Sequence, residues 1–542
     1  MRKFSLQKAI IKNISLPIVL TLSISVINTI TFAQNDKIST DPKLENTNIN
    51  KPPLIPPIIK DGMETTSDGG KNQENIKNSN INVDAIMMYG QFNNIFTSFG
   101  LSQNLDSFTY HLNSDLKRSN DFDKHNNSSF YEGEIGFKGT ADFTDKWKFI
   151  PFVEVKNESH GMFDNSFFTR EEKDKFLFRL MNEYKPIPTR WTINVGGAQY
   201  VHRLNPVNVN SDDTTIDSKR SEFYKVNGEM GWEYISSASN GISFKTNFHY
   251  YAFSPSMVKD DSYSRSELTL GFKVIEYFKL ELGGIINYNY DYDKKVWTLP
   301  RSFMPGGRVS LATSGFKYTT VSMGYSYDML PFKPEELYFE HKFIGPNYNL
   351  PPGEVHKANM EAGVKIRLNG NKKVYAHSIE IKGKGAFEKN NNFYNYSPAP
   401  ENLLIAESMS AESYVARADA ILDFRIYKRK FKLGFNYIYS YYQADRNITY
   451  RPAYSASSMV KYEQKFFEVE WENSYKGAVY YNPDENDRID SVVLGSVGLQ
   501  FKMLETFRLY TKIDNIYNEK YSYRSGYPEP GITWIGGLRI II

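Results

Sequence analysis

The sequence predicts an all-β protein, a transmembrane antiparallel β-barrel of about 22 strands closed by its C-terminal strand. Three observations predict it. From Val83 to Ile542 apolar and polar residues alternate with a period of two. The alternating segments run to about 11 to 16 residues, longer than the usual five or six of globular sheets and matched to a tilted membrane crossing. The connections take turns in length: NLD (Asn104–Asp106), TDK (Thr144–Lys146), SASN (Ser237–Asn240), NGN (Asn369–Asn371) and KRK (Lys428–Lys430) are separated by long polar loops, as in barrels with short turns at one end and long loops at the other.

The chain opens with an export signal at residues 1–33. Arg2, Lys3, Lys8 and Lys12 precede an apolar run from Ile14 to Phe32, and Thr31 and Ala33 supply the small cleavage positions. Pro17, Asn28 and that exit favour a cleaved signal over a retained anchor. Removing four cations and no acid from a net charge of +3 leaves −1. No basic excess remains for nucleic acid.

Residues 34–82 are rich in Asn, Lys, Asp and Thr, with Pro52, Pro53, Pro56 and Pro57 clustered. Such a segment cannot bury enough apolar surface to offset chain entropy, so the expectation is a disordered or polyproline-like tail. It reads as a linker or as a docking peptide for a periplasmic partner.

Residues 83–542 form the expected barrel. From Tyr131 to Phe143 one face carries Tyr131, Ile135, Phe137 and Phe143, and the other Glu132, Glu134, Lys138 and Asp142. From Phe278 to Tyr292, Phe278, Leu280, Leu282, Ile286 and three tyrosines oppose Lys279, Glu281, Asn287, Asn289 and Asp291. The same split recurs from Tyr414 to Ile426, with Arg417, Asp419, Asp423 and Arg425 on the wet face, and from Phe431 to Tyr441. One face suits lipid and the other water. Strands are expected to start near 83, 92, 106, 128, 147, 172, 190, 219, 241, 263, 278, 305, 318, 357, 373, 407, 430, 454, 467, 489, 505 and 531. An even number returns both termini to one side, the periplasm if the signal is used. No later stretch has the roughly 18 to 20 apolar residues of a transmembrane helix, so insertion requires a closed barrel. Tyr 39, Phe 37 and Trp 6 supply the two aromatic girdles such a barrel needs. The absence of cysteine excludes disulfides, thiolate metal sites and a lipoprotein anchor.

The tail of the chain, DNIYNEKY (Asp514–Tyr521), GYPEPG (Gly526–Gly531) and the alternating TWIGGLRIII (Thr533–Ile542), resembles the closing hairpin of TonB-dependent outer-membrane receptors. Ala85–Asp115 resembles that family's opening strands. FKPEELY (Phe332–Tyr338) followed by GPNYNLPPGE (Gly345–Glu354) is similar to its paired boxes around a mid-barrel external loop, with Phe332, Pro334, Asn349, Leu350 and Pro352 kept and an arginine missing. The resemblance implies an outer-membrane barrel in contact with lipid, working in passage or uptake of an unidentified solute. It also implies a folded plug of more than a hundred residues, for which residues 34–82 are too few and too polar. Energy coupling therefore does not carry over. A lumen of this width is normally filled, so inward-folded loops, the proline-rich tail or a separate plug polypeptide is expected to close it.

No phosphate-binding glycine loop, paired-histidine metal motif or serine elbow is present, and no enzyme activity or cofactor is expected. His341 lies between the two box-like segments, where the resemblance implies a haem-iron ligand in haem-receptor members; the plainer reading is a solvated loop histidine. Lys279, Glu281, Lys365, Arg367, Arg417 and Asp419 face the wet side and either line a solute path or pair across strands. The alternative function is a structural or adhesive barrel that binds external partners through its long loops.

Overall fold

In the computed structural model the described residues are 81–542, apart from 106, 121–127, 163–166, 207–218, 238–239, 255–260, 276–277, 292–295, 299–305, 314–317, 331–332, 339–343, 346, 348–349, 352, 367–373, 400–402, 427–428, 505 and 526. The expected signal and all but Ile81 and Asn82 of the expected tail lie outside them, as does His341.

Twenty-two long strands follow one another, each antiparallel to the next. The first eleven are β1 (Ile81–Gly90), β2 (Ile95–Leu105), β3 (Phe108–Ser119), β4 (Phe130–Asp142), β5 (Trp147–Gly161), β6 (Phe168–Tyr184), β7 (Thr189–Pro206), β8 (Lys219–Ser237), β9 (Asn240–Ser254), β10 (Asp261–Ile275) and β11 (Phe278–Asp291). The second eleven are β12 (Gly306–Thr313), β13 (Thr319–Leu330), β14 (Gly353–Ile366), β15 (Val374–Ala399), β16 (Leu403–Ile426), β17 (Arg429–Ala444), β18 (Tyr454–Glu463), β19 (Phe467–Lys476), β20 (Val492–Lys502), β21 (Phe507–Asp514) and β22 (Thr533–Ile541). The ring closes where β1 pairs with β22, from Asp84 opposite Ile541 to Gly90 opposite Ile535. Closure leaves no sheet edge, the condition for crossing lipid with strands.

Every expected start falls within about four residues of a strand's first residue. The largest displacements are at 172, 357 and 407, where the strands begin at Phe168, Gly353 and Leu403. All three lie at the long-loop end. There the ladder continues beyond the lipid belt, and the contrast between faces that marks a strand in the sequence fades.

Face assignments agree with the alternation. On the outer face Trp191, Ile193 and Val195 of β7, Leu282 and Ile286 of β11, Phe435 and Tyr441 of β17, and Trp534, Leu538 and Ile540 of β22 are all exposed. A surface so apolar needs lipid to cover it. The short-loop end is tightly turned: the Thr144 hydroxyl caps the β4–β5 turn by accepting from the Trp147 amide at 3.1 Å.

Two strands exceed what a membrane requires. β15 has 26 residues and β16 has 24, on the order of 80 Å of chain at ~3.3 Å per residue against a ~30 Å hydrocarbon core. Their paired ends therefore project well past the ring at the long-loop end.

Candidate functional site, the lumen and its covered mouth

The inner wall is a lattice of charges, and the charges pair. Lys117 meets Glu132 at 3.0 Å, Lys175 meets Glu154 at 2.6 Å, and Arg265 bridges Glu267 and Asp328, both at 2.8 Å. The polar residues singled out in the sequence follow suit: Lys279 with Glu281 (2.8 Å), Lys365 with Glu380 (2.6 Å) and Arg417 with Asp419 (2.7 Å). Arg367 lies outside the described residues. At the seam, Arg539 grips Asp84 with two hydrogen bonds of 2.6 and 2.9 Å. Alternation places these side chains on one face, where partners on neighbouring strands, or two residues along the same strand as for Lys279–Glu281 and Arg417–Asp419, neutralise them.

Above this lattice the mouth is covered. Met162 and Phe168 beside β5 and on β6, Leu204 on β7, Leu403 at the tip of the β15–β16 hairpin and Tyr527 in the loop before β22 form one buried cluster, with Phe92 and Ala399 packed against it. β6 and β16 stand ten strands apart in a ring of 22, almost opposite. Side chains carried by both can share a cluster only if the hairpin reaches across the opening. Beneath it the inner ends of β5–β7 carry a buried polar layer. Glu171 accepts from His202 at 2.9 Å and faces Lys173 at 3.2 Å, and Glu158 lies 3.4 Å from His160.

The loops beside the hairpin are folded inward too. The box-like segment after β13 forms a short helix, α1 (Pro334–Tyr338), and its continuation Ile344–Gly345 pairs in parallel with Leu404–Ile405 of β16. Leu337, Ile344 and Leu350 pack with Tyr396, Leu404, Ala406 and Tyr450. Glu335 of the helix accepts from the Tyr251 hydroxyl at 3.2 Å and pairs with Lys225. It does so beside an inward aromatic patch in which Tyr200 stacks on Phe223 at 4.6 Å. The β17–β18 loop is pinned at Thr449, whose amide donates to Asn395 Oδ1 at 2.9 Å and whose hydroxyl donates to the Tyr396 carbonyl at 2.8 Å.

A cavity of about 650 Å³ opens between the β17–β18 loop and the loop after β19, lined among others by Tyr442, Tyr480, Arg446, Arg451, Asp484 and Arg488. Arg446 ties its own loop to the loop after β19 and to strand β16, donating to both carboxylate oxygens of Asp484 (2.7 and 2.6 Å) and to Glu407 at 2.8 Å. The Arg446 guanidinium holds the Asp484 carboxyl below the usual carboxylate range. Arg451 lies over the Phe393 ring at 4.1 Å and Arg488 over Tyr480 at 4.3 Å. Guanidinium groups stacked on rings beside tyrosines suit an anionic or hydroxyl-rich ligand. Sequence reasoning missed this cavity, because its walls come from loops whose shapes follow no period. Among the described residues no group of three or more His, Cys, Asp or Glu is placed to hold a metal ion.

No family model matches the sequence, and no curated protein matches it. Solved structures match its fold. The copper transporter OprC aligns over 87% of this chain and 82% of its own, with 12% identity and a TM-score of 0.63. The siderophore receptor PirA from Acinetobacter baumannii covers 86% of this chain and 81% of its own at 10% identity, with a TM-score of 0.62. The FrpB iron transporter from Neisseria meningitidis covers 86% and 83% at 8% identity, with a TM-score of 0.65. At these identities the likeness is one of fold alone, a large closed antiparallel β-barrel.

Proposed function

We propose that this chain is an outer-membrane barrel of TonB-dependent-receptor type that takes part in passage or uptake of a solute across the outer membrane. Its short turns would face the periplasm and its long loops the outside. The observation that carries the reading is the covered mouth over a wide, charge-lined ring. Loops that fold inward and pack on one another restrict access to a lumen; they are superfluous above a wall that nothing crosses. OprC and FrpB, described as transporters, and PirA, described as a siderophore receptor, support a role in solute uptake by likeness of fold. The arginine- and tyrosine-lined cavity at the rim is the proposed first contact for the solute. His341, in the segment between β13 and β14, is retained only as a candidate ligand.

The second reading is a barrel that binds external partners and passes nothing, and the arginine-lined cavity between its long loops is the observation that favours it. Conductance in a planar bilayer separates the two. The full chain is compared with a variant in which residues 394–408, the far end of the β15–β16 hairpin, are replaced by a two-residue turn. Steady conductance on shortening the hairpin is the expected result. Silence from a shortened barrel that still migrates as folded when unheated would overturn the passage reading and leave the binding one.

A further inference from the structure

The rim cavity lies where the wall of the ring is incomplete. β18 has only ten residues, and its ladder with β17 ends at Tyr439 opposite Tyr454, whereas β17 runs on to Ala444. The Ser440 amide donates to the Ala453 carbonyl at 2.7 Å, so the even-numbered residues of β17 turn their backbone groups toward β18. Tyr442 and Ala444 therefore present an amide and a carbonyl each on an edge that the ladder does not reach, and both residues line the cavity. The guanidiniums are of two kinds. Arg446 is neutralised by Asp484 and Glu407. Arg451 and Arg488 form no ion pair among the described residues; each is held by its face, on the Phe393 and Tyr480 rings, and Arg488 also donates to the Tyr480 hydroxyl. A guanidinium stacked by its face keeps its donors in the plane, at its edge. Asp445 is the one lining carboxylate without an ion pair among the described residues. On the lumen side the cavity is backed by a dry cluster in which Phe393, Ala411 and Ile448 are buried, with Tyr442 and Ala444 packed against them. On the other side it is bordered by Tyr441 and Tyr454, 50% and 47% exposed on the outer face. The cavity thus opens at the boundary of lipid and water.

We infer that this cavity binds a phosphorylated sugar, taken either free from solution or as the headgroup of an outer-leaflet glycolipid. The inference rests on the reading of the cavity as the solute's first contact and names the class it takes. Two unneutralised guanidiniums against one carboxylate call for an anion, and planar forks of donors match phosphate oxygens two at a time. A phosphate monoester carries about 1.5 to 2 negative charges near neutral pH, which the two arginines balance. An inorganic ion would leave most of the site empty, because the volume of about 650 Å³ is that of a small-molecule site of roughly 300–1,000 Å³. The rest of the lining offers what a sugar needs. Asn447, the tyrosine hydroxyls and the uncovered edge of β17 pair with hydroxyl groups, and the tyrosine rings cover the apolar face of a pyranose. Arginines beside tyrosines at the lipid boundary also suit a charged headgroup whose chains lie along the outer wall.

The full-length protein in detergent is titrated calorimetrically with N-acetylglucosamine 1-phosphate, N-acetylglucosamine and inorganic phosphate. The sugar phosphate should bind at least about tenfold tighter than either of the others. Arg451→Gln combined with Arg488→Gln should lower that affinity at least about tenfold while unheated migration stays that of a folded barrel. The two sources are separated in phosphatidylcholine nanodiscs carrying a bisphosphorylated glucosamine glycolipid or its dephosphorylated form, with bound lipid read by mass spectrometry of the released protein. Retention of the phosphorylated glycolipid by the parent and its loss in the double variant assign the membrane as source; soluble binding without retention assigns a free solute. Equal affinity for inorganic phosphate and the sugar phosphate reduces the cavity to an ion site and overturns the inference. So does preference for the neutral sugar, an unaffected double variant, or no binding in either format. Binding reads the cavity and conductance reads passage, so either can fail while the other stands.

Discussion

The seam between β1 and β22 is the point where the barrel can be opened by a single methyl group. A Cβ built on Gly537 would lie 2.0 Å from the Met87 carbonyl oxygen and 2.5 Å from Met88 Cα, both backbone atoms of the partner strand. No rotamer change relieves such contacts, so Gly537→Ala must push the strands apart by about 1 Å, which breaks the ladder bonds on either side. Two backbone groups left unpaired cost about 1–3 kcal/mol each, giving about 2–6 kcal/mol, with the upper part favoured where lipid replaces water. The neighbouring Gly536 is the internal control. Its Cβ would come no closer than 3.4 Å to the Tyr510 carbonyl, ordinary contact, and Gly536→Ala should change stability by less than about 0.5 kcal/mol. Both variants are compared with the parent by the temperature at which the compact unheated band on SDS gels is lost, and by urea titration of sheet content in detergent. Gly537→Ala should unfold well below the parent, and Gly536→Ala beside it. Coincident curves for Gly537→Ala and the parent would refute the close packing of the seam and the closure argued from it.

Other perturbations test other parts. Asp84→Ala or Arg539→Ala removes one side of the two-bonded pair at the same seam; a loss of about 2–4 kcal/mol is expected, partly recovered when the charges are exchanged as Asp84→Arg with Arg539→Asp. Leu403→Asp puts a carboxylate into the dry cluster under the hairpin tip and should release the mouth loops, seen as new trypsin cleavage there with unchanged unheated migration. Leu538→Arg on the lipid face should cost about 2–4 kcal/mol in a bilayer and far less if that face met water. The Asp484 carboxyl is depressed in the folded protein, so its stabilising contact is present above the unfolded value of about 3.9 and is lost as pH falls through the lower folded value. The β17–β18 loop should thus keep its amide protection at pH 5 and lose it under more acidic conditions, whereas Asp484→Asn should show no such transition.

The ring was legible because lipid enforces a rule that the sequence must obey at every strand. Each residue facing hydrocarbon must be apolar and its neighbours facing water need not be, so Phe431, Leu433, Phe435 and Tyr437 declare their face without any tertiary information. The mouth obeys no such rule. Leu403 and Phe168 look like members of separate strands, and only the length of β15 and β16 lets one reach the other across the opening. That length was hidden because the hairpin beyond the membrane has no lipid face; Asn390, Asn391 and Asn392 show no apolar alternation, yet β15 carries them in strand with a register shift between Asn390 and Phe393. The same logic applies to the inner face of β1. Ile86 and Met88 sit on the face where Asp84 marks the wet side, and in a sequence they weaken the alternation of β1 as if by error. An apolar residue on the water side of a barrel strand costs little where neighbouring side chains exclude water from it, and Ile86 and Met88 are buried against Phe96, Tyr510 and Ile535. Breaks in alternation on inward faces therefore mark places where side chains pack on one another inside the ring, here on β1 and β2 and again at the Tyr200–Phe223 patch on β7 and β8.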